Sequence, residues 1–313
     1  MTVLVTGATG TVGRQVVGEL LERGERVRAL TREPGRSGLP GEVEVVGGDL
    51  TEPEGLEGVF DGVSGVHLIT FGGELFAPLE TGERLVAMAE AAGVRRATVL
   101  FGGGETPLQE AVCGSGLEWT VLMPVEFMAN ALEWAPDIRA TSTVSEPFPG
   151  RLSAMVHERD IGACAAVALT EEGHAGRTYT LTGPEVLTVY DKAAAIGRAR
   201  GDGVRVEELT AGEASERWRA AGMAQEVVGF LLEVYGDTPV EGRTVDPAVP
   251  RLLGRPALRF EEWAREHADR FASGRPLQVR SRWARTLRGR RGARREPEPD
   301  DPASPSRRTP WNP

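Results

Sequence analysis

The sequence has few cysteines and no long hydrophobic run, and both features exclude classes of protein. Cys113 and Cys164 are its only cysteines, too few for a disulfide framework and without the spacing of metal ligands. We expect both to be small buried apolar residues. No apolar stretch is longer than a strand, which excludes a membrane-spanning helix, and we predict no metal site. The N-terminal residues lack the basic start and cleavage site of a secretion signal, so we expect a cytoplasmic protein.

Acidic residues outnumber basic residues outside the C-terminal region. The whole chain carries a net charge of −10. Residues 275–313 contain eleven arginines and four acidic residues, a net charge of +7, which leaves −17 for residues 1–274. Such an acidic body disfavours nucleic acid as a partner of the folded part. The region 275–313 is rich in arginine and proline and poor in apolar residues, so we predict a disordered tail whose partner stays open.

The first fourteen residues join an apolar strand to three glycines and an amphipathic helix. The strand covers residues 3–5, and the glycines are Gly7, Gly10 and Gly13. This is the pattern of a dinucleotide-binding βαβ unit: the glycines permit the sharp turn, the approach of a pyrophosphate and the close packing of the helix. The phosphates bind the free N–H groups at the start of the helix. The residues predicted to form this site are Gly7, Thr9, Gly10, Thr11, Val12 and Gly13.

The end of the second predicted strand, residues 25–32, bears on the choice of cofactor. An acidic residue there binds the ribose hydroxyl of NAD, whereas an arginine suits the additional phosphate of NADP. This chain has Arg32 at that point. We therefore predict that NADP(H) is preferred over NAD(H), although Glu33 lies next to it and a solvated surface arginine is the alternative.

Later strand-like segments also end in glycines. Segments 42–46, 63–71 and 97–101 are followed by glycines at 47–48, 72–73 and 102–104. The alternation with helical segments predicts an α/β fold, a Rossmann-type doubly wound parallel sheet, in which ligands bind at the carboxyl ends of the strands. The further cofactor contacts predicted there are Asp49, Leu50, Thr70, Phe71 and Gly72. Asp49 has an alternative interpretation as a helix N-cap.

Several segments resemble one known family. They are Thr6-Gly-Ala-Thr-Gly-x-x-Gly13, residues 115–120, Pro124 with Phe127-Met128-x-Asn130, and Leu181-Thr-Gly-Pro-Glu185. Over roughly residues 1–270 the chain resembles the NmrA-like group of atypical short-chain dehydrogenase/reductases. That group includes NAD(P)H-binding quinone and azo-dye reductase-like proteins and some redox-sensing regulators.

The chain departs from the wider superfamily at its catalytic pair. Short-chain dehydrogenases commonly use Tyr-x-x-x-Lys, in which the lysine lowers the pKa of the tyrosine for proton exchange with a carbonyl. The tyrosines here are Tyr179, Tyr190 and Tyr235, the only lysine is Lys192, and no such pair exists. Carbonyl reduction by that proton relay is therefore excluded.

Three polar residues are candidates for orienting a substrate. They are Glu126, Asn130 and His157. The segment around His157 resembles one that lies near the active site in the family, but a capping or packing histidine is an equal alternative. The catalytic residues are otherwise unknown.

These observations lead to three functional hypotheses. The first is an NADPH-dependent oxidoreductase that transfers a hydride to a quinone-like or conjugated small molecule without the tyrosine pair. The second is a non-catalytic NADP(H)-sensing regulatory protein, and the third is an epimerase-like or dehydratase-like enzyme. We expect a domain of residues 1–274, with an embedded substrate-covering lobe at about 125–160 and 187–274, before the tail of residues 275–313. A homodimer is left open.

Overall fold

Parallel strands form the central sheet, and their order identifies the fold. The computed structural model describes residues 1–73, 77–101 and 104–272. In chain order the described strands are β1 (Thr2–Val5), β2 (Arg26–Thr31), β3 (Glu44–Gly47), β4 (Gly65–Ile69), β5 (Phe71–Gly72), β6 (Ala77–Pro78), β7 (Arg96–Leu100), β8 (Glu118–Pro124), β9 (Thr143–Pro147), β10 (Arg177–Leu181) and β11 (Arg205–Leu209). Seven of them form a parallel sheet in the order β10-β8-β7-β4-β1-β2-β3. The strand order reverses between β1 and β4, which confirms the predicted doubly wound Rossmann-type fold.

Helices cover both faces of this sheet. In chain order the described α-helices are α1 (Thr11–Glu22), α2 (Gly82–Ala91), α3 (Pro107–Cys113), α4 (Ala135–Thr141), α5 (Glu158–Thr170), α6 (Val189–Arg200), α7 (Ala211–Ala220), α8 (Gln225–Gly236), α9 (Ala248–Leu253), α10 (Phe260–Glu266) and α11 (Ala268–Phe271). Short 3-10 helices lie at Pro34–Arg36, Pro53–Gly55, Met128–Trp134 and Val240–Arg243. Within the described residues, no helix combines the length and the hydropathy that crossing a membrane requires.

The strands bury side chains on both faces, as a parallel sheet between helices requires. In β1, Val3 and Val5 join the core under α1 and α5, whereas Leu4 points to the opposite core under α2 and α3. Glycine allows the helices on one face to approach closely: a Cβ on Gly162 of α5 would lie 2.5 Å from the Cβ of Gln15 in α1. Two cores therefore hold the sheet between two layers of helices.

A third core lies outside the sheet layers. Its buried residues include Ile138, Val144, Ile196, Phe260 and Trp263. Beside it, β9 and β11 form a separate parallel pair. This core draws its residues from the two ranges in which we predicted the lobe, but α9, from the same ranges, packs on α5 in the main body. The lobe as a domain unit stays a prediction.

Several elements differ from the sequence prediction. Neither β9 nor β10 was predicted as a strand. β10 joins the sheet as its seventh parallel strand. The predicted strand 63–71 ends at Ile69, after which β5 pairs antiparallel with β6. Cys164 is buried as expected, but Cys113 is only partly buried because it is the last residue of α3. Gly102, Gly103 and the tail at 275–313 lie outside the described residues.

Candidate active site

The turn after β1 has the shape that a diphosphate requires. Gly7 adopts a left-handed conformation with φ +60°, and its carbonyl accepts a hydrogen bond from the amide of Gly10 at 2.8 Å. A Cβ on Gly13 would lie 2.1 Å from the oxygen of Gly7, so only glycine fits there. Gly10 is the N-cap of α1 and makes no side-chain capping bond. The first amides of α1, at Thr11, Val12 and Gly13, therefore have no acceptor within the helix and are free to bind an anion over the turn.

The other predicted cofactor residues follow the carboxyl ends of neighbouring strands. Asp49 accepts hydrogen bonds from the amide and the hydroxyl of Thr51 at 2.9 and 2.8 Å through one carboxylate oxygen, which stabilises the turn after β3. The buried hydroxyl of Thr70 donates to the carbonyl of Leu100 at 3.2 Å and ties β4 to β7. Leu50 is buried, and Phe71 and Gly72 form β5. The turn residues, Asp49, Thr70 and β5 therefore occupy one edge of the sheet.

Two arginines lie beside the same turn. Arg32 follows β2 and is exposed, and it forms no hydrogen bond or ion pair with any residue in the described ranges. Arg14, in the first turn of α1, donates to the carbonyls of Ser37 at 2.6 Å and Gly38 at 3.1 Å. It thereby fixes the loop after β2 against the start of α1. The sequence analysis missed Arg14, whose position one residue after Gly13 was the available signal.

Glu126 lies at the same edge, directly after β8. Four adjacent strands, β1-β4-β7-β8, place the carboxyl ends of β1 and β8 about 14 Å apart at the usual strand spacing. The backbone around Glu126 is held by Val156, which donates to the carbonyl of Glu126 and accepts from the amide of Met128, both at 2.9 Å. Its side chain is 18% exposed. The residue is thus fixed in position, and its side chain keeps a small exposed fraction.

Lys192 is the direct partner of this carboxylate. Its Nζ donates to Oε2 of Glu126 at 3.0 Å, and its side chain is 0% exposed. Burial lowers the pKa of Lys192, an effect that the negative charge of Glu126 opposes. Burial acts to raise the pKa of Glu126, but the positive charges of Lys192 and Arg151 outweigh it and leave that pKa lowered. Lys192 and Glu126 thus form a buried ion pair in which only the side chain of Glu126 is partly exposed.

The sequence analysis singled out Glu126 but not its partner. The two residues are 66 positions apart, so no local spacing could reveal them as a pair. A signal was available in α6, where Lys192 falls on the same helical face as the buried Val189 and Ile196. A lysine at such a core position requires a buried partner.

A second set of polar residues surrounds the pair. Arg151 binds Glu146 at 3.1 Å and lies over the ring of Tyr235, with its guanidinium carbon 3.8 Å from the ring centroid. The indole of Trp134 donates to the other oxygen of Glu146 at 2.8 Å. Burial first, and then the charges of Glu126 and Glu146, raise the pKa of Tyr235, so its phenol stays protonated at neutral pH. Arg151 is therefore held in place by α8 and by the segment around β9.

The other two predicted substrate-orienting residues have different surroundings. Asn130 lies in the 3-10 helix after β8, is partly exposed, and its side-chain amide forms no hydrogen bond within the described part of the chain. His157 is 1% exposed and is the N-cap of α5, where its Nδ1 accepts from the amide of Arg159 at 3.1 Å. Its Nε2 lies 3.5 Å from Glu266. The structure thus gives His157 the capping role that was its alternative, and its predicted role toward a substrate stays untested.

The residues at this edge fit a dinucleotide. A Cβ at Gly13 would collide with the backbone of Gly7 and Ala8, so glycine lets the helix start close under the turn, where its free amides can bind a diphosphate. Within residues 1–73, 77–101 and 104–272, no group of three histidine, cysteine or carboxylate side chains could hold a metal ion.

Comparisons with known proteins agree with this geometry. Residues 7–109 match the model of a family described as NAD(P)H-binding. The chain is 38% identical over 285 residues to a (4-alkanoyl-5-oxo-2,5-dihydrofuran-3-yl)methyl phosphate reductase of Streptomyces griseus, covering 86% of this chain and 99% of that protein. It is 32% identical over 289 residues to an NAD(P)H azoreductase of Xenophilus azovorans, covering 87% and 99%. A structure of an NADPH-dependent quinone oxidoreductase of Escherichia coli complexed with NADPH superimposes with a TM-score of 0.72 at 21% identity, covering 84% of this chain and 99% of that one.

Proposed function

The chain belongs to the NmrA-like family of NAD(P)H-binding reductases, and from this premise we propose that it is an NADPH-dependent oxidoreductase that reduces a conjugated, electron-poor small molecule. The observation that carries the proposal is the glycine turn between β1 and α1. At Gly13 any side chain would clash with the oxygen of Gly7, and the amides of Thr11, Val12 and Gly13 at the start of α1 are free to bind an anion. Such a turn serves a bound dinucleotide.

The names of the relatives support this class of acceptor. One relative is named for a furan derivative in which, by its name, a ring double bond is conjugated with a ring carbonyl and an alkanoyl carbonyl. Another is named an azoreductase, and a protein of the same fold is titled a quinone oxidoreductase. The acceptors in these names share a π bond that becomes a stabilised anion when a hydride adds to it.

That shared property explains how reduction can proceed without a tyrosine–lysine pair. When bound, the reduced nicotinamide supplies a hydride. An acceptor whose negative charge is spread over carbonyl groups or an aromatic ring forms an anion stable enough to be protonated after hydride transfer, whereas the alkoxide from a simple ketone is so basic that an acid has to donate a proton as it forms. The chain has Glu126 at the carboxyl end of β8 and no Tyr-x-x-x-Lys sequence. A conjugated acceptor therefore suits a site that has Glu126 and lacks the tyrosine–lysine pair better than an isolated carbonyl does.

We propose that NADP(H) is preferred over NAD(H). Arg32 is exposed at the end of β2 and has no partner within the described chain, so its guanidinium is available to a phosphate on the adenosine ribose. Arg14 supports the same loop by donating to the carbonyls of Ser37 and Gly38. The free guanidinium of Arg32, next to a loop held by Arg14, supports this preference.

The test is NADPH oxidation with a matched set of acceptors. We expect the purified protein to oxidise NADPH in the presence of a naphthoquinone, an azo dye or an acyl-substituted unsaturated lactone. The saturated lactone and a simple ketone serve as controls and should give no turnover. The measurement is the loss of NADPH absorbance, corrected for the rate without acceptor.

The second candidate function is a non-catalytic NADP(H) sensor, which the missing tyrosine–lysine pair favours. Tight binding of NADPH without turnover of any conjugated acceptor would support the sensor and contradict the reductase. Failure to bind NADPH or NADH would contradict both functions.

A further inference from the structure

Reduction of a conjugated acceptor leaves a negative charge that a proton must neutralise. We propose that Glu126 and Lys192 supply this proton together, in place of the Tyr-x-x-x-Lys pair that the chain lacks. Glu126 would contact the acceptor, and Lys192 would act through Glu126. The proposal rests on the reductase function proposed above.

The geometry assigns the two residues different positions. The Nζ of Lys192 lies 3.0 Å from Oε2 of Glu126, within direct proton-transfer distance. The carboxylate side chain is 18% exposed, while the lysine side chain is fully buried behind it. Of the two residues, only Glu126 therefore has side-chain surface that a small molecule could contact. Any proton that leaves Lys192 passes through the carboxylate.

Burial weakens the preference of the pair for its ionised form, although the lowered pKa of Glu126 keeps the carboxylate ionised until negative charge develops on the acceptor. A buried ammonium–carboxylate pair loses the solvation of both charges, which brings it closer in free energy to the neutral amine–carboxylic acid pair. Burial also lowers the pKa of Lys192, so its ammonium is a stronger acid than a lysine in water. The other ionisable groups that face the pair are Arg151, Glu146 and Tyr235. Arg151 and Glu146 form their own ion pair and oppose each other's charge at the site.

The proton balance of the step is simple. As the negative charge develops on the acceptor, an N–H bond of Lys192 breaks, its electron pair stays on Nζ, and an O–H bond forms on Glu126. The carboxyl group then gives this proton to the acceptor anion and becomes a carboxylate again. After the product leaves, solvent returns one proton to Lys192 through Glu126. The net change at the protein is zero, and solvent has supplied one proton.

Kinetics of three variants test the pair. We expect Glu126→Gln and Lys192→Met each to lower kcat by about 10²-fold, within the usual range for loss of a general acid. The double variant Glu126→Gln/Lys192→Met should be no slower than the slower single variant, because the two residues act as a unit. It also removes both charges, so it tests the pair even where Lys192→Met destabilises the fold. NADPH affinity should not change in any variant.

The matched control is an ion pair elsewhere in which the carboxylate is buried. Asp160 is fully buried on α5, pairs with Arg255 at 2.8 Å and accepts from the amide of Leu258 at 2.7 Å. Asp160→Asn removes a buried negative charge and keeps an acceptor for that amide. We expect this variant to lose stability but to retain the wild-type kcat. An equal loss of kcat in Asp160→Asn would show that loss of any buried charge slows the enzyme, and it would overturn the proposal.

A second readout does not depend on turnover. Because Lys192 is the only lysine, protein labelled with ¹³C-lysine gives one Cε resonance, whose shift reports the protonation of Nζ. In Glu126→Gln this resonance should titrate at lower pH than in the wild type, because the opposing carboxylate charge is gone. An unreactive acceptor analogue should also move it in the wild type. A resonance that does not respond to the analogue would assign Lys192 a purely structural role.

The outcomes separate the proposal from the function on which it rests. Wild-type turnover together with unchanged kcat in Glu126→Gln and Lys192→Met would overturn the proton pair and leave the reductase function intact. Absence of wild-type turnover with every acceptor would contradict the reductase function itself.

Discussion

His67 is an ionisable residue at the centre of the sheet, and its burial makes folding depend on pH. It lies in β4, is 0% exposed, and its Nδ1 is 2.9 Å from the hydroxyl of Thr98 on β7. Its Nε2 has no hydrogen-bond partner among the described residues. Burial lowers the pKa of His67 to about 4. The imidazole is therefore neutral in the folded protein at physiological pH.

We predict that this histidine destabilises the fold under acid conditions. An unfolded histidine has a pKa near 6.5, so below that pH the unfolded chain binds a proton that folded His67 does not accept. The free energy of unfolding is therefore unaffected by the protonation of His67 above pH 6.5. It decreases as pH falls toward 4, where the loss reaches about 3 kcal/mol. Urea denaturation of the wild type and of His67→Gln, from pH 7.5 to pH 4, measures this loss of unfolding free energy.

The comparison of the two proteins isolates His67. The difference in unfolding free energy between wild type and His67→Gln should be constant above pH 7 and shift in favour of the variant at lower pH. His174→Gln serves as a control, because that ring is only partly buried and its pKa is lowered less than that of His67. A pH-independent difference for His67→Gln would contradict the prediction.

Single residues also show how far the sequence could reveal the site. The glycine turn was predictable because its chemistry is local: Gly7, Gly10 and Gly13 lie within seven residues, and their spacing has one physical purpose. The surroundings of Glu126 were not, because its partner Lys192 and the nearby Arg151 and Tyr235 come from separate elements and meet only in the tertiary structure. The sequence also named His157 without its partners, Glu158 and Glu266.

At the scale of elements, α5 illustrates why His157 was ambiguous. This helix is buried along almost its whole length, so the polar groups of its first turn need protein partners. His157 caps it, Glu158 accepts from the indole of Trp263 at 3.1 Å, and Asp160 binds Arg255. Two of these partners lie about 100 residues further along the chain. The local sequence His-Glu-Arg-Asp does not show whether its side chains hold the start of a helix in place or take part in catalysis.

The packing of α5 against α1 leads to a prediction about Gly162. A Cβ at this position would lie 2.5 Å from the Cβ of Gln15 and 2.7 Å from its backbone carbonyl carbon. Because the backbone of α1 cannot move aside locally, Gly162→Ala has to push the two helices apart. We expect it to lower the unfolding free energy by about 1–3 kcal/mol, the usual cost of overpacking. Denaturant midpoints measure the change.

Gly18 provides the matched control in the other helix of this pair. It lies within α1, and a Cβ there would have no atom within 4 Å. Gly18→Ala should therefore stabilise the protein by about 0.5–1 kcal/mol, because alanine favours the helix over the unfolded chain. Equal effects of the two substitutions would show that helix propensity, rather than helix–helix distance, determines the result.

At the scale of the whole molecule, an acidic protein has to bind an anionic cofactor. Residues 1–274 carry a net charge of −17, so the overall field repels a dinucleotide phosphate. Attraction has to come from local groups: the start of α1 and the exposed Arg32 beside it. A parallel sheet could be predicted in outline because strands and helices alternate along the sequence. The strand β10 at its edge was not predicted, because its residues were considered only as part of a family motif.

Binding of NADPH should therefore stabilise the entire fold, and Arg32 should determine how strongly. At a concentration 100 times its Kd, a ligand that binds only the folded state contributes about 2.7 kcal/mol, which for a chain of this size raises Tm by roughly 5–10 °C. We expect Arg32→Ala to reduce the shift with NADPH to the shift with NADH, because the variant loses a charge-assisted contact with the additional phosphate. Arg26→Ala removes an exposed arginine at the opposite end of the same strand, β2, and should leave the NADPH shift unchanged. If both variants keep the full difference between NADPH and NADH in thermal denaturation, Arg32 does not select the cofactor and the preference for NADP(H) depends on other residues.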